Sequence, residues 1–132
     1  MDVELYSIIP SLRVTSIIRA LPFYETLGFK LVFAFAGSEH SDTVTDQSHF
    51  ARLDAEATHP LSIFLETRRG STGGCIHIMA GAPENVDRLA ARLRAAGVVL
   101  ELEPTNMPWG MREMHTADPD GNLIVIGGLL AE

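Results

Sequence analysis

The chain has 132 residues, 46% of them hydrophobic and 20% charged, with a formal net charge of −7. That length suits one domain with a real core, and the composition excludes disordered and fibrous classes. The acidic balance and the scarcity of basic clusters ("TRRG", "RLAARLRAA") argue against a partner held through nucleic-acid phosphates.

The N-terminus, "MDVELYSIIPS", carries acidic residues where a secretory leader would carry basic ones. No apolar run approaches the roughly 18 residues that cross a bilayer, so a cytoplasmic protein without a membrane partner is expected. "YSIIPSLRV", Tyr6 to Val14, reads as a strand, with Pro10 marking an edge or bulge. "TSIIRALPFYETLGFK" reads as a helix capped by Thr15 or Ser16 and stopped by Gly28, with Pro22 expected to kink or shorten its first turns. "FKLVFAFAG", "QSHFARLDA" and "PLSIFLET" follow as three strands. After the glycine-rich "RRGSTGG" the order starts again with the strand "CIHIMA", where the lone Cys75 is expected to be a small buried residue. "PENVDRLAARLRAAG" is the clearest helix, with Pro83 in its opening turn, Val86, Leu89, Ala90, Leu93 and Ala96 on one face, and Gly97 as its stop. "VVLELEP", "GMREMHTA" and "NLIVIGGLL" complete the second set of strands.

The reading is an α+β chain of tandem strand-helix-strand-strand-strand modules, the first over residues 1–68 and the second over 73–132. Each helix covers one face of its sheet, and the two sheets together form a cupped mixed surface with the helices outside. Period two then sends Ile63 and Leu65 to the helix and Ser62, Phe64 and Glu66 to the cup. The same alternation sends Ile76 and Ile78 inward and leaves Cys75, His77 and Met79 on the cupped side. A mixed apolar and polar lining of this kind suits a small molecule.

Each candidate has a plainer reading. His77 on an apolar strand serves as a hydrogen-bonded core histidine as readily as a ligand-contacting one. Glu66 at a strand end beside Arg68 suits a solvated ion pair. Trp109 before Gly110 either caps the core or walls a planar ligand. Glu113 and His115 share one strand face with Met111, while Arg112, Met114 and Thr116 share the other, and periodicity leaves open which faces the cup. His40, His49 and His59 are expected at the surface. "DPDGN", from Asp118 to Asn122, is turn chemistry.

Two stretches, "LRVTSIIRALPFYETLGFKLV" with its telling "FYETLGF" and "PWGMREMHTADPDGNLIVIG", resemble the vicinal oxygen chelate superfamily: glyoxalase I, bleomycin resistance proteins, fosfomycin resistance enzymes and extradiol dioxygenases. With the repeat, the resemblance covers nearly the whole chain. For metal-dependent members it implies four ligands on the first and last strands of the two modules, at positions that fall on Ile9, Glu66, His77 and Val125. Ile9 and Val125 cannot bind a metal, which leaves only His77 and Glu66 as metal candidates.

The pairing of "WG" with "DPDG" resembles the bleomycin-resistance-like branch. That branch implies a homodimer, a role in antibiotic resistance and no cofactor. It also implies that His115, three residues before Asp118, contacts the ligand, which brings Glu113 to the same cupped face. The expected function is binding of an aromatic or cationic small molecule by Phe64, Glu66, His77, Trp109, Glu113 and His115, with no catalytic residue assigned. One alternative is a glyoxalase-like lyase or isomerase that uses the His/Glu cluster with or without a recruited divalent metal. Another is an interaction module whose cup is filled by its own side chains.

Overall fold

The computed structural model describes residues 3, 7–57, 61–70 and 73–131. In chain order they form β1 (Ser11–Arg13), α1 (Ile17–Thr26), β2 (Phe29–Ala36), β3 (Glu39–Ser41), β4 (Phe50–Ala55) and β5 (Leu61–Glu66). The second half repeats the order with β6 (Cys75–Met79), α2 (Pro83–Ala95), β7 (Leu100–Asn106), β8 (Met111–Ala117) and β9 (Leu123–Leu129). The short edge strand β3, paired with β2, is an addition that period alone did not reveal.

The first sheet runs β1-β5-β4-β2-β3 and the second β6-β9-β8-β7. In each, the opening strand lies parallel to the closing one and the remaining pairs are antiparallel. A parallel pair needs a long crossover, and here the crossover contains the module's helix. The helices bury Ile17, Ala20, Leu21, Phe23 and Tyr24 of α1 and Val86, Ala90 and Leu93 of α2. They join Ala51, Leu53, Ile63, Leu65, Met114, Ile124 and Ile126 in one core that runs through both modules. Each fully buried Leu or Ile contributes about 1.5–3 kcal/mol to that core.

Several local expectations are refined, and others are corrected. The first strand is only Ser11–Arg13, and Tyr6 falls outside the described residues. Pro10 precedes the strand, where its carbonyl accepts the Phe64 N–H at 2.9 Å and no ladder donor is missed. Pro22 sits inside α1 without ending it; the N–H it lacks would have bonded the carbonyl of Ile18, a residue on the exposed side of the helix. Ser16 supplies the N-cap, accepting from the Arg19 N–H. Ala96 is exposed because the helix ends at Ala95, one residue before it. Cys75 is also exposed, because β6 is an edge strand and alternation turns the thiol to the face away from α2.

The "DPDGN" turn does more than reverse the chain. Tyr24 Oη donates to Asp118 Oδ2 at 2.6 Å, and the Thr15 N–H and hydroxyl both donate to Asp120 Oδ1. Asn122, fully buried, donates to the Arg13 carbonyl and to Asp118 and accepts the Gly74 N–H. One turn of the second module is thereby tied to the first strand and helix of the first.

Candidate functional site

The open face of the second sheet is decided by β8. Met114 and Thr116 are fully buried on its helix side, and Arg112 reaches Asp87 of α2 with contacts of 2.8 and 3.1 Å. Met111, Glu113 and His115 therefore occupy the opposite face. The register sets Val125 of β9 between His77 of β6 and His115 of β8. Strand spacing separates those two histidines by about 10 Å between α-carbons, with one hydrocarbon side chain between them. In the next row Gly127 lies between Met79 and Glu113.

Glu113 is only 8% exposed, so its carboxylate needs partners. Trp109 Nε1 donates to Oε2 at 2.7 Å and His115 Nε2 donates to Oε1 at 3.2 Å. The Trp109 hydrogen bond, with further help from His115 and the charge of His77, holds the Glu113 carboxyl below the usual carboxylate range against the opposing effect of burial. Gly110, at φ +85°, turns the chain between β7 and β8 and lets the indole fold back over the residue four positions on. The outer part of the indole is left in solvent, with Trp109 61% exposed.

Phe64 and Glu66 lie on the other sheet. Phe64 belongs to a cluster of half-buried rings: its centroid is 4.9 Å from that of Phe50, which lies 6.3 Å from Phe33. Phe35 and the exposed His40 extend it along β2 and β3. Glu66 is buried and fully engaged, accepting from Arg69 at 2.9 and 3.2 Å and from Ser11 at 3.0 Å. The ion-paired strand end is thus the arrangement it adopts. Glu66 borders a depression with Phe35, His49, Phe50, Arg68 and Arg69, whereas His77 lines a groove with Ile8, Leu61, Ser62 and Met79. Trp109, Glu113 and His115 are brought together by hydrogen bonds and His77 by register, while Phe64 and Glu66 form a separate group.

Arg52 escaped the sequence reading. It stands on the open face of the first sheet, with Nε donating to Asp54 Oδ1 at 3.0 Å and Nη2 donating to Ser62 Oγ at 3.2 Å. Burial pushes the Asp54 carboxyl up, but the hydrogen bonds from Arg52 and Ser62 outweigh it and hold the group low. The signal was present in "FARLDA", where Ala51 and Leu53 alternate with Phe50, Arg52 and Asp54. His49 is half-buried and its ring nitrogen meets the Gly37 carbonyl at 3.0 Å; His59 lies outside the described residues.

The four metal-ligand positions do not supply a donor set. Ile9 and Val125 end in hydrocarbon, and Glu66 is committed to Arg69 and Ser11. Among the described residues, no three His, Cys, Asp or Glu side chains are grouped to hold an ion. These residues do not fit a tightly held transition metal of the zinc type, whose sites take three or more protein ligands.

Residues 8–126 match the family model of the Glyoxalase/Bleomycin resistance protein/Dioxygenase superfamily. No match is found among curated proteins. Among solved structures, a lactoylglutathione lyase from Agrobacterium tumefaciens superposes with TM-score 0.71 at 18% identity, covering 92% of each chain. A bleomycin resistance determinant encoded on the transposon Tn5 gives 0.69 at 17% identity, over 95% of this chain and 98% of the other. A bleomycin-binding protein complexed with bleomycin gives 0.64 at 18% identity, over 97% and 100%. At these identities the likeness is one of fold.

Proposed function

Because the chain belongs to the glyoxalase/bleomycin resistance protein/dioxygenase superfamily, we propose that it binds a small, at least partly aromatic molecule on its open sheet faces without a tightly bound metal. The observation that carries this reading is the Trp109–Glu113–His115 constellation beside His77 and Val125. Hydrogen-bonding groups are concentrated there, while Val125 offers no donor for an ion. Both Glu113 oxygens already accept a bond, so a ligand ammonium is met by the charge of the carboxylate and by its remaining lone pairs. The similar bleomycin-binding protein, complexed with bleomycin, supports small-molecule binding, and the similar bleomycin resistance determinant supports a role in antibiotic resistance.

Trp109 is the lone tryptophan, so its fluorescence reports on the site directly. Titration with bleomycin and with acridine orange, a planar cationic probe, is expected to quench it saturably, and Glu113→Gln is expected to weaken both. Elemental analysis of protein purified without chelator is expected to find no stoichiometric transition metal. Failure of every aromatic probe to bind, or a stoichiometric metal, would overturn the proposal. We further propose a cytoplasmic homodimer; among the described residues no helix is long and apolar enough to cross a membrane.

A second reading, a glyoxalase-like lyase or isomerase, is favoured by the Glu113–His115 contact, since a carboxylate that orients an imidazole prepares it for proton transfer. The similar lactoylglutathione lyase supports it at the level of fold. In that case turnover collapses in His115→Ala, the variant that removes the oriented imidazole; unchanged turnover in that variant excludes this version.

A further inference from the structure

We infer that Arg52 makes the open face of the first sheet selective for an aromatic ligand bearing an anionic oxygen group, such as a carboxylate, sulfonate or phosphate ester. The aromatic half of this inference rests on the proposed binding role; the anionic half goes beyond it.

Arg52 of β4 is in register with Phe64 of β5 on one side and Phe33 of β2 on the other. Residues opposite one another across strands share a face, so the guanidinium rises from the middle of a row with a phenyl ring at each flank. Phe50 and Phe35 form the adjacent row. A charge in the centre of an aromatic patch is costly to desolvate unless it is paired, and here the pairing is one-sided. Nε donates to Asp54 Oδ1, and Nη2 donates to Asp54 Oδ2 and Ser62 Oγ at 3.4 and 3.2 Å. Among the described residues Nη1 donates to none, which leaves two N–H groups on a plane that Asp54 and Ser62 already fix. A held guanidinium loses little further freedom on binding, and its hydrogen bonds to an anionic oxygen are roughly twice as strong as neutral ones. The neighbouring rings supply offset or edge contacts to an aromatic body carried on that anion.

The test uses two fluorescent probes that share one ring system. 1-Anilinonaphthalene-8-sulfonate carries a sulfonate, and N-phenyl-1-naphthylamine lacks it. The sulfonate is expected to bind about tenfold more tightly, the worth of one charge-assisted bond. Arg52→Gln is expected to bring the ratio near one while leaving the affinity of the neutral probe unchanged. Arg52→Lys keeps the charge without the planar fork and is expected to fall between. Arg19→Gln, an exposed arginine of α1 on the helix side of the molecule, is expected to keep the full ratio. Equal affinities in the parent protein, a ratio that survives in both Arg52 variants, or one that collapses in Arg19→Gln overturns this inference alone. If neither probe binds while acridine orange still quenches Trp109, this inference falls and the aromatic-binding proposal stands; if acridine orange and bleomycin also fail, both fall.

Discussion

The phenol of Tyr24 donates a 2.6 Å hydrogen bond to Asp118, joining residues 94 positions apart in the two modules. Both side chains are buried, and Asp118 also accepts from the Asp120 and Asn122 backbone N–H groups and from Asn122 Nδ2. The carboxylate is therefore saturated with donors, as a buried charge requires. It also ends the strand that carries Glu113 and His115, so the bond links the first helix to the candidate site.

Tyr24→Phe removes one donor from a buried carboxylate and is expected to cost about 1.5–3 kcal/mol in urea unfolding. Burial first, then the Asp118 bond and charge, push the phenol well above the ordinary tyrosine range. A raised folded value stabilises the protein fully below the unfolded pKa and is lost as pH rises past it. Stability of the parent should thus fall above about pH 10, and that of Tyr24→Phe should fall less.

Asn122→Ala leaves the Gly74 N–H and the Arg13 carbonyl without their side-chain partner and is expected to cost about 3 kcal/mol. Asn122 and Tyr24 both bind Asp118 Oδ2, so the double variant should depart from additivity by about 0.5 kcal/mol or more. Strict additivity in a double-mutant cycle would show that the turn does not act as one unit.

Glu113 gives an acid-side prediction. Its folded pKa is depressed, chiefly by the Trp109 hydrogen bond, so its contribution is present above the unfolded value and lost as pH falls through the folded one. Trp109 fluorescence should show a transition below the ordinary glutamate range, absent in Glu113→Gln. A transition of the same position and size in that variant would assign it to another group.

Two adjacent glycines of β9 should respond differently to alanine. A Cβ on Gly128 would lie 2.9 Å from the carbonyl oxygens of both Gly81 and Ala82, backbone atoms that cannot step aside. A Cβ on Gly127 would meet the mobile end of Met111 at 2.8 Å. Gly128→Ala is expected to cost about 1–3 kcal/mol and Gly127→Ala clearly less, as thermal melts would show.

The module repeat was legible because each strand of "PLSIFLET" and "CIHIMA" alternates cleanly and each helix has a recognisable stop. The faces of Phe64 and His77 followed from the same alternation. Glu113 and His115 were harder, since Met111 and Met114 make both faces of β8 equally apolar in sequence. Arg112 resolves the ambiguity by reaching Asp87, a partner 25 residues away. Arg52 was overlooked because a lone charge in "FARLDA" resembles an ordinary exposed strand position until Phe33 and Phe64 are set on either side of it.

Alternation, helical spacing and turn residues were enough for the α+β class and the tandem order, because these are local properties. The motifs carried the resemblance to the superfamily, and side-chain identity alone removes donor chemistry at Ile9 and Val125. The packed fold was needed to show that Glu66 is spent on Arg69 and Ser11, that Val125 separates two histidines, and that "DPDGN" ties the modules together. Those relationships arise from strand register and from contacts between residues far apart in the chain, where no local pattern records which partners meet.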